Sequence, residues 1–388
     1  MDIAKSKSKK INFLDSLRGL ASLIIVIFHF KIGSFLNNPF TDKGYMMVDF
    51  FFILSGFVIS LNYLDRIYDF VSLKKFMIKR FFRLYPIHLT TLLIWLILET
   101  IKYLFYINNL LSPIEDNLPF TKNNIFSFLQ HLFFMQNIFS SQLTWNGISW
   151  SASVEFYTYL VFSFTLILIH FLSKNEKQII KIYFPLLFIL ISFLLYEHGG
   201  EKIFLSPEFL RCIYGFFIGC ILSSISKVKN ELFCSNLLTY FFTLISIAST
   251  IFISYDNILL IDIIYFINLY SLLMVNNYSK NNLKKNFILR FLNFKPFILL
   301  GSISYSIYLI HPIIQGGLIQ ILTMFTEVGF DAITGYWIIS GFSQLQIEML
   351  GLFVIGSVII TSLFTYRFIE IRFINYSKGL EFKNQYQK

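Results

Sequence analysis

Long apolar segments, most of them of about 18 residues or more, recur along the whole chain and alternate with shorter polar segments. Segments of this length are typical of helices that cross a lipid bilayer. The pattern therefore predicts an all-α, polytopic integral membrane protein with about ten transmembrane helices. The predicted spans are residues 12–33, 44–63, 86–106, 152–172, 182–196, 209–224, 237–254, 258–276, 297–322 and 348–369.

The segments between the spans predict a single membrane domain. The longest, residues 107–151, has an apolar centre at Ile125 to Phe139 that is too short to span, so an interfacial or re-entrant segment is expected there. We assign residues 1–372 to the membrane domain and residues 373–388 to a short cytoplasmic tail.

Composition agrees with this class, because only 14% of the residues are charged and 56% are hydrophobic, against about 25% charged in soluble domains. The formal net charge is +10, which by itself could indicate nucleic-acid binding. The linkers between the spans, however, form two alternating sets. One set, which includes both termini, carries 24 of the Lys and Arg residues, and the other set carries 3. That asymmetry predicts an even number of spans with both termini in the cytoplasm. The excess of basic residues then reflects membrane orientation and attraction to anionic lipid headgroups, so nucleic-acid binding is not expected.

The three cysteines, Cys212, Cys220 and Cys234, are too few and too irregularly spaced for a disulfide framework or a metal site. We expect buried thiols in the membrane core. No metal and no permanently bound cofactor is expected.

The first predicted helix carries a polar stripe of Asp15, Arg18, Ser22 and His29. Eleven residues separate Arg18 from His29, which places both on one face about 16 Å apart along the axis. Ionisable residues inside a span are costly and often functional. The structural alternative is that Asp15 and Arg18 anchor the helix end, while His29 is a satisfied core histidine.

Two carboxylates on other helices are predicted to lie at the depth of His29. Asp49 lies within the second span, about five residues from its outer end, and Glu155 lies in the first turns of the fourth. A carboxylate at that level can orient an imidazole that acts as a general base. A structural ion-pair cluster is the alternative.

Two further groups of residues are candidates. Lys74 to Pro86 is a basic and aromatic segment containing Arg80 and Arg83. It fits either positive-inside charge or binding of a phosphorylated cytosolic donor. Gly301 to His311 contributes small and hydroxyl side chains that suit helix packing, and we expect His311 itself to act mainly in packing.

Five segments between residues 13 and 311 together resemble, in order, the motifs of the membrane acyltransferase family 3 proteins. This family includes the O-acetyltransferases of lipopolysaccharide O-antigen, exopolysaccharide and Nod factors. The segments are Phe13 to Ala21 running on to Phe28-His29, Val48 to Phe57, Arg80 to Pro86, Trp150 to Tyr157, and Gly301 to His311. Ten spans are also usual in the family. Two departures are Ser16 in place of Gly, and Ile371 where Pro usually follows the Glu.

The resemblance implies transfer of an acyl group, usually acetyl, from cytosolic acyl-CoA to a glycan hydroxyl at the outer face of a bacterial inner membrane. The predicted geometry is compatible with this reaction, and we expect His29 to act as the general base, oriented by Asp49 or Glu155. Acyl-CoA would bind through Asp15, Arg18, Arg80 and Arg83. Acceptor-binding or supporting positions would be Ser55, Gly56, Trp150, Ser151, Ser153, Tyr305 and His311. Direct transfer and a covalent intermediate on Ser55 or His29 both remain open.

Other function classes share some of these features. A transporter or flippase for a lipid-linked glycan would also carry polar groups in mid-membrane, but would need inverted repeats or paired broken helices. A structural subunit would use the polar stripe only for packing.

Overall fold

The computed structural model describes residues 11–109, 118–139, 141–172, 177–199, 205–254, 257–331 and 334–385. These residues form α-helices and a single small β-hairpin. The helices are α1 (Asn12–His29), α2 (Met47–Tyr63), α3 (Phe70–Ile107), α4 (Ile125–Leu132), α5 (Trp150–Leu172), α6 (Lys177–Gly199), α7 (Pro207–Ile225), α8 (Asn236–Phe252), α9 (Ile258–Tyr278), α10 (Lys280–Lys285), α11 (Phe287–Leu292), α12 (Lys295–Ser302), α13 (Ser304–Leu322), α14 (Gln344–Thr365) and α15 (Ile371–Gln385).

Eight helical segments in the described part of the chain are long and apolar enough to cross a membrane. Two shorter apolar helices, Ile182–Glu197 within α6 and Asn236–Phe252, lie where the sequence predicts the fifth and seventh spans. The nearly all-α membrane architecture is therefore confirmed. Length and hydropathy support crossing for eight of the ten predicted spans.

Helix α3 differs most from its prediction, because it begins at Phe70 rather than near residue 86. Asp69 caps it by accepting a hydrogen bond from the Ser72 amide at 2.7 Å. At ~1.5 Å per residue its 38 residues span about 57 Å, nearly twice the ~30 Å thickness of the hydrocarbon core. The basic segment thus lies on a helix, not in a linker, and Arg80 and Arg83 project from it one turn apart.

The last two spans also depart from straight helices. The predicted ninth span consists of α12 and α13, which meet at a non-helical Ile303. The tenth, α14, continues through one π-helical turn, Tyr366–Glu370, into α15. The described part of the predicted tail is therefore helical as far as Gln385.

Glycines bring two helix pairs into close contact. A Cβ on Gly56 of α2 would lie 1.8 Å from the carbonyl oxygen of Phe216 on α7, and one on Gly219 would lie 2.1 Å from that of Ile53. A Cβ on Gly301 would lie 1.9 Å from the Asp15 carbonyl oxygen, so α1 and α12 cross in the same way. Small residues at helix crossings allow this backbone approach in membranes. Gly56 is therefore a packing residue between α2 and α7.

On the side predicted to face outward, short elements cover the helix ends. Helix α4 lies within the long predicted outer loop, and strands β1 (Val328–Asp331) and β2 (Tyr336–Ile339) pair as an antiparallel hairpin. The Trp337 amide donates to the carbonyl oxygen of Lys31 at 2.7 Å. This bond holds the hairpin against the chain just beyond His29.

Candidate active site

A cavity of about 460 Å³ opens at one end of the helix bundle, between the start of α1, the basic part of α3, and α15. This is the end that the charge pattern predicts to be cytoplasmic. The charged side chains that line the cavity are predominantly basic. They are Asp15, Arg18, Lys79, Arg80, Arg83, Glu155 and Lys378. The structure therefore gathers the four residues proposed for donor binding into one chamber, the wide cavity.

Two of its arginines are held by named partners. The Arg80 guanidinium lies 5.3 Å from the centroid of the Tyr63 ring and donates to the Tyr63 hydroxyl at 3.3 Å. Arg83 Nη1 lies 3.1 Å from Oε1 of Glu370, whose side chain is fully buried. Ser306 donates to the other Glu370 oxygen at 3.0 Å. Both guanidiniums are thus pre-oriented at the cavity wall.

The sequence does not mark Glu370 as a site residue, although it directly precedes Ile371, where the chain departs from the family motif. Its buried position depends on the π-helical turn Tyr366–Glu370 at the junction of α14 and α15. A hydropathy pattern does not reveal such a turn. The signal that could have found it is an acidic residue at the predicted cytoplasmic end of the last span, facing an arginine-rich helix.

Glu155 lies in the wide cavity, away from the depth predicted for it. Its Oε1 accepts a hydrogen bond from the Tyr159 hydroxyl at 2.5 Å, and the Ser55 hydroxyl lies 2.9 Å from that of Tyr159. The expectation that Glu155 lies level with His29 was wrong, because α5 places this carboxylate in the same cavity as Arg18.

A second, narrow cavity of about 50 Å³ adjoins the first and shares Arg18, Ser55, Glu155 and Tyr305 with it. Its remaining wall residues are Val48, Phe51, Phe52, Ser151, Ala152, Ser304 and Tyr308. The two cavities therefore form a path from the arginine-lined end into the bundle.

Hydrogen bonds fix the polar walls of the narrow cavity. Tyr308 donates its hydroxyl to the carbonyl oxygen of Ile148 at 2.8 Å and accepts from Ser151 at 3.0 Å. The Tyr305 hydroxyl donates to the Leu84 carbonyl oxygen at 2.8 Å. Ser151 and Tyr305 thus line the path, as expected of supporting residues.

His29 and His311 form a pair beyond the narrow cavity. The His311 Nε2 and His29 Nδ1 atoms are 3.2 Å apart, and the Tyr308 and His311 ring centroids are 6.1 Å apart. His311 is fully buried, whereas the His29 side chain is exposed. His311, expected mainly in packing, is therefore a direct neighbour of the candidate base.

Two backbone carbonyls indicate the tautomers of this pair. His29 Nδ1 lies 2.9 Å from the Ile25 carbonyl oxygen, and His311 Nδ1 lies 3.2 Å from that of Ile307. A carbonyl oxygen only accepts, so each Nδ1 is assigned the hydrogen. His311 Nε2 then accepts a shared hydrogen bond from His29 Nδ1. The His29 Nε2 atom keeps its lone pair, which is what a base requires.

Asp49 pairs with an arginine and not with His29. Arg211 Nη2 lies 2.7 Å from Asp49 Oδ2, and Arg211 Nε lies 3.2 Å from Oδ1. Both side chains are buried, and the guanidinium lies 5.8 Å from the Trp150 ring centroid. Asp49 and Trp150 therefore belong to a buried ion-pair cluster, which is the alternative that the sequence left open.

Ser153 and the cysteines have structural surroundings. The Ser153 hydroxyl donates to the backbone carbonyls of Phe134 and Gln136, which ties α5 to the loop after α4. Cys212, Cys220 and Cys234 are buried free thiols. Ser153 thus orders the predicted outer loop and does not line either cavity described above.

Charged and aromatic side chains surround the outer end of α1. Lys31 Nζ lies 3.6 Å from Asp42 Oδ1 and 5.1 Å from the Phe28 ring centroid. The Tyr336 hydroxyl donates to Asp42 Oδ2 at 3.1 Å. Partial burial, together with the Asp42 carboxylate, raises the pKa of Tyr336, so it remains a hydrogen-bond donor. His29 therefore faces a polar, aromatic rim.

Comparison with known proteins gives matches over nearly the whole chain. The peptidoglycan O-acetyltransferase OatA of Listeria monocytogenes is 26% identical over 402 aligned residues, covering 97% of this chain and 59% of that protein. The putative peptidoglycan O-acetyltransferase YrhL of Bacillus subtilis is 23% identical, covering 77% of this chain and 47% of that protein. Protein 2 in the picA locus of Rhizobium radiobacter is 33% identical over 29% of this chain and 57% of its own length.

The chain spans about half the length of these curated relatives. No solved structure gave a significant match. A family model described as an acyltransferase domain matches residues 11–366. Because that match covers almost every residue of the membrane region, the chain belongs to the acyltransferase family 3 that its motifs resemble.

Proposed function

We propose that this protein transfers an acyl group from cytosolic acyl-CoA to a hydroxyl of a cell-envelope glycan. The observation that carries the proposal is the arginine-lined cavity that continues, past Tyr308, towards the His29–His311 pair. Family membership favours this enzyme over the transporter considered from the sequence.

The donor binds with its phosphates in the wide cavity. Arg80 and Arg83 provide planar guanidiniums that match phosphate geometry, and their partners already hold them in place. Arg18 lies at the junction with the narrow cavity. About 16 Å of helix separates Arg18 from His29, a distance similar to the length of a pantetheine arm. When the phosphates lie at Arg80 and Arg83, an arm of that length passes through the wide cavity and brings the thioester into the narrow cavity, next to Tyr308.

Chemistry takes place at the Nε2 atom of His29. This nitrogen accepts the proton of the acceptor hydroxyl as the hydroxyl oxygen attacks the thioester carbonyl carbon. The tetrahedral intermediate then collapses, the carbon–sulfur bond breaks, and the CoA sulfur takes the proton back from the imidazolium. The products are the O-acyl glycan and free CoA, with no net proton change.

His311 positions the base and stabilises its charged form. When His29 Nε2 takes a proton, Nδ1 still carries its hydrogen, and the buried His311 Nε2 is in place to accept from it. The Ile25 carbonyl oxygen supports the same orientation. His311 thus takes the role that the sequence predicts for a carboxylate.

The acceptor approaches from the outer face, where His29 is exposed beside the rim of Phe28, Lys31, Asp42 and Tyr336. Two relatives are named for O-acetylation of peptidoglycan. All three of the relatives described above are bacterial. We therefore place the protein in a bacterial cytoplasmic membrane with a polysaccharide of the cell envelope as acceptor.

The test uses the full chain reconstituted in vesicles, with acetyl-labelled acetyl-CoA on one side and cell-wall glycan fragments on the other. Label on glycan hydroxyls from wild type, and not from His29→Ala, supports the proposal. Release of CoA without labelled glycan contradicts the acceptor class. Movement of glycan across the bilayer without any label supports a transporter and contradicts the enzyme.

A further inference from the structure

We propose that the narrow cavity holds the acyl group of the donor, and that Phe51 at its wall limits the length of the acyl chain. The inference rests on the proposed function, since it assigns a place to one part of the same donor. It makes α2, which carries Phe51, the helix that sets acyl specificity.

The volume of the cavity matches a short acyl group. A water-sized group needs roughly 10–15 Å³ of such space, so about 50 Å³ accommodates some three to five of them. An acetyl group has three non-hydrogen atoms, whereas a hexanoyl group has seven. Acetyl and propionyl groups therefore fit, and chains of six carbons do not.

The chemistry of the walls also suits an acyl group. Val48, Phe51, Phe52 and Ala152 present an apolar surface. The hydroxyl groups at the walls already have partners within the protein: Tyr308 and Ser151 bond as described above, and Ser304 donates to the Gly301 carbonyl oxygen at 3.0 Å. Arg18 and Glu155 also line this cavity, where it joins the wide one. A methyl end directed away from them, towards the apolar residues, is buried without breaking the hydrogen bonds of these hydroxyl groups.

Of the four apolar wall residues, Phe51 is the one that is not buried in the core. Val48, Phe52 and Ala152 are buried in the core, and Phe52 packs against Trp150 at a centroid distance of 6.0 Å. Phe51 is only half-buried, with its ring centroid 6.4 Å from that of Tyr308. Trimming Phe51 thus enlarges the cavity on the side nearest the histidine pair.

The position agrees with the direction of the reaction. The narrow cavity shares Arg18 with the wide cavity, where the CoA phosphates are proposed to bind. Its other end is formed by Tyr308, which adjoins His311. A thioester that enters from the arginines therefore brings its carbonyl carbon close to the histidines, with the acyl chain directed at Phe51.

The experiment measures kcat/KM of reconstituted protein with acetyl-, butyryl- and hexanoyl-CoA at a fixed acceptor concentration. Phe51→Ala should raise the ratio of hexanoyl to acetyl transfer at least about tenfold, because one methylene alone is worth that factor in a hydrophobic pocket. Ala152→Leu should act in the opposite direction and reduce acetyl transfer. Phe164→Ala is the matched control, since Phe164 is 47% exposed on α5 and lines neither cavity described here.

Each result has a distinct meaning. If Phe51→Ala fails to fold, Phe51→Leu gives the same comparison with a smaller enlargement. An unchanged acyl-chain profile in a variant that still transfers acetyl overturns this inference and leaves the proposed function intact. Absence of acyl transfer from every donor, in a folded wild-type preparation, overturns the proposed function itself.

Discussion

The His29–His311 contact gives the first prediction at the scale of single residues. His29→Ala should lose at least about 100-fold in turnover, because general-base catalysis contributes that much or more. His311→Ala should lose less, and His311→Gln should recover part of the loss, since an amide oxygen can accept from Nδ1. Steady-state rates in vesicles measure both.

A double variant tests whether the two histidines act as a unit. Residues of one catalytic unit are strongly non-additive, so His29→Ala with His311→Ala should be no slower than His29→Ala alone. Losses that multiply would show that His311 acts independently, through packing as the sequence suggested. Near-normal acylation by His29→Ala would remove the proposed base altogether.

The arginines of the wide cavity give a prediction about binding rather than chemistry. Arg80→Ala and Arg83→Ala should raise the KM for acyl-CoA more than the KM for the glycan. A hydrogen bond to a charged group is worth about 1.5–3 kcal/mol, so a tenfold effect or more is expected. A change confined to expression level would instead support a topological role for these charges.

The buried pair of Asp49 and Arg211 gives a prediction about stability. Removing the Asp49 carboxylate takes away the bidentate partner of the buried Arg211 guanidinium, and breaking a buried ion pair in this way costs about 3–5 kcal/mol. Asp49→Ala should therefore unfold at a clearly lower temperature in detergent, while Asp49→Leu with Arg211→Met should recover much of the loss. If Asp49→Ala were stable but slow in turnover, that result would support the role predicted from the sequence, in which Asp49 orients His29.

The sequence located the site residues on their helices but could not choose their partners. Arg18 and His29 lie on α1 as expected, and the distance between them follows from helix geometry alone. The bonds from Arg83 to Glu370 and from His311 to His29 join residues 287 and 282 positions apart. Such contacts depend on how the helices pack against one another, and a single sequence does not reveal that packing.

At the scale of helices, α2 and α7 depend on their glycines. Gly56→Ala would place a Cβ 1.8 Å from the Phe216 carbonyl oxygen, so the helices must separate. Overpacking of this kind costs about 1–3 kcal/mol, and the melting temperature in detergent should fall. Gly316→Ala on α13 is the control, because no side chain and no backbone of another helix lies within 4 Å of its added Cβ. Equal effects of the two variants would contradict the close crossing.

Hydropathy predicts the helix boundaries well where an apolar segment ends. It predicts them poorly where a capping residue determines the start of the helix. The start of α3 is set by Asp69 and Ser72, sixteen residues before the apolar segment begins. The break at Ile303 and the π-helical turn before α15 are likewise backbone features without a hydropathy signal. Both irregularities lie beside the wide cavity, so hydropathy is least informative close to the donor site.

At the scale of the whole molecule, helices α1 and α15 meet at one cavity. Asp15 near the beginning of α1 and Lys378 on α15 both line it. First and last helices that share one end of the bundle are what an even number of crossings requires. The geometry therefore agrees with the charge asymmetry between alternate linkers, although each argument uses different residues.

The last prediction concerns which end of the bundle faces the cytoplasm. Gln142 follows α4 and Asn281 lies on α10, and both side chains are exposed. The positive-inside rule places Gln142 outside and Asn281 inside. In intact cells an impermeant thiol reagent should label Gln142→Cys and spare Asn281→Cys, which should react only after the membrane is opened. The three native cysteines are buried and serve as the unlabelled background in the wild type. Reversed labelling would place the arginine-lined cavity outside the cell, where no acyl-CoA is available. That result would contradict the proposal that Arg80 and Arg83 bind the donor.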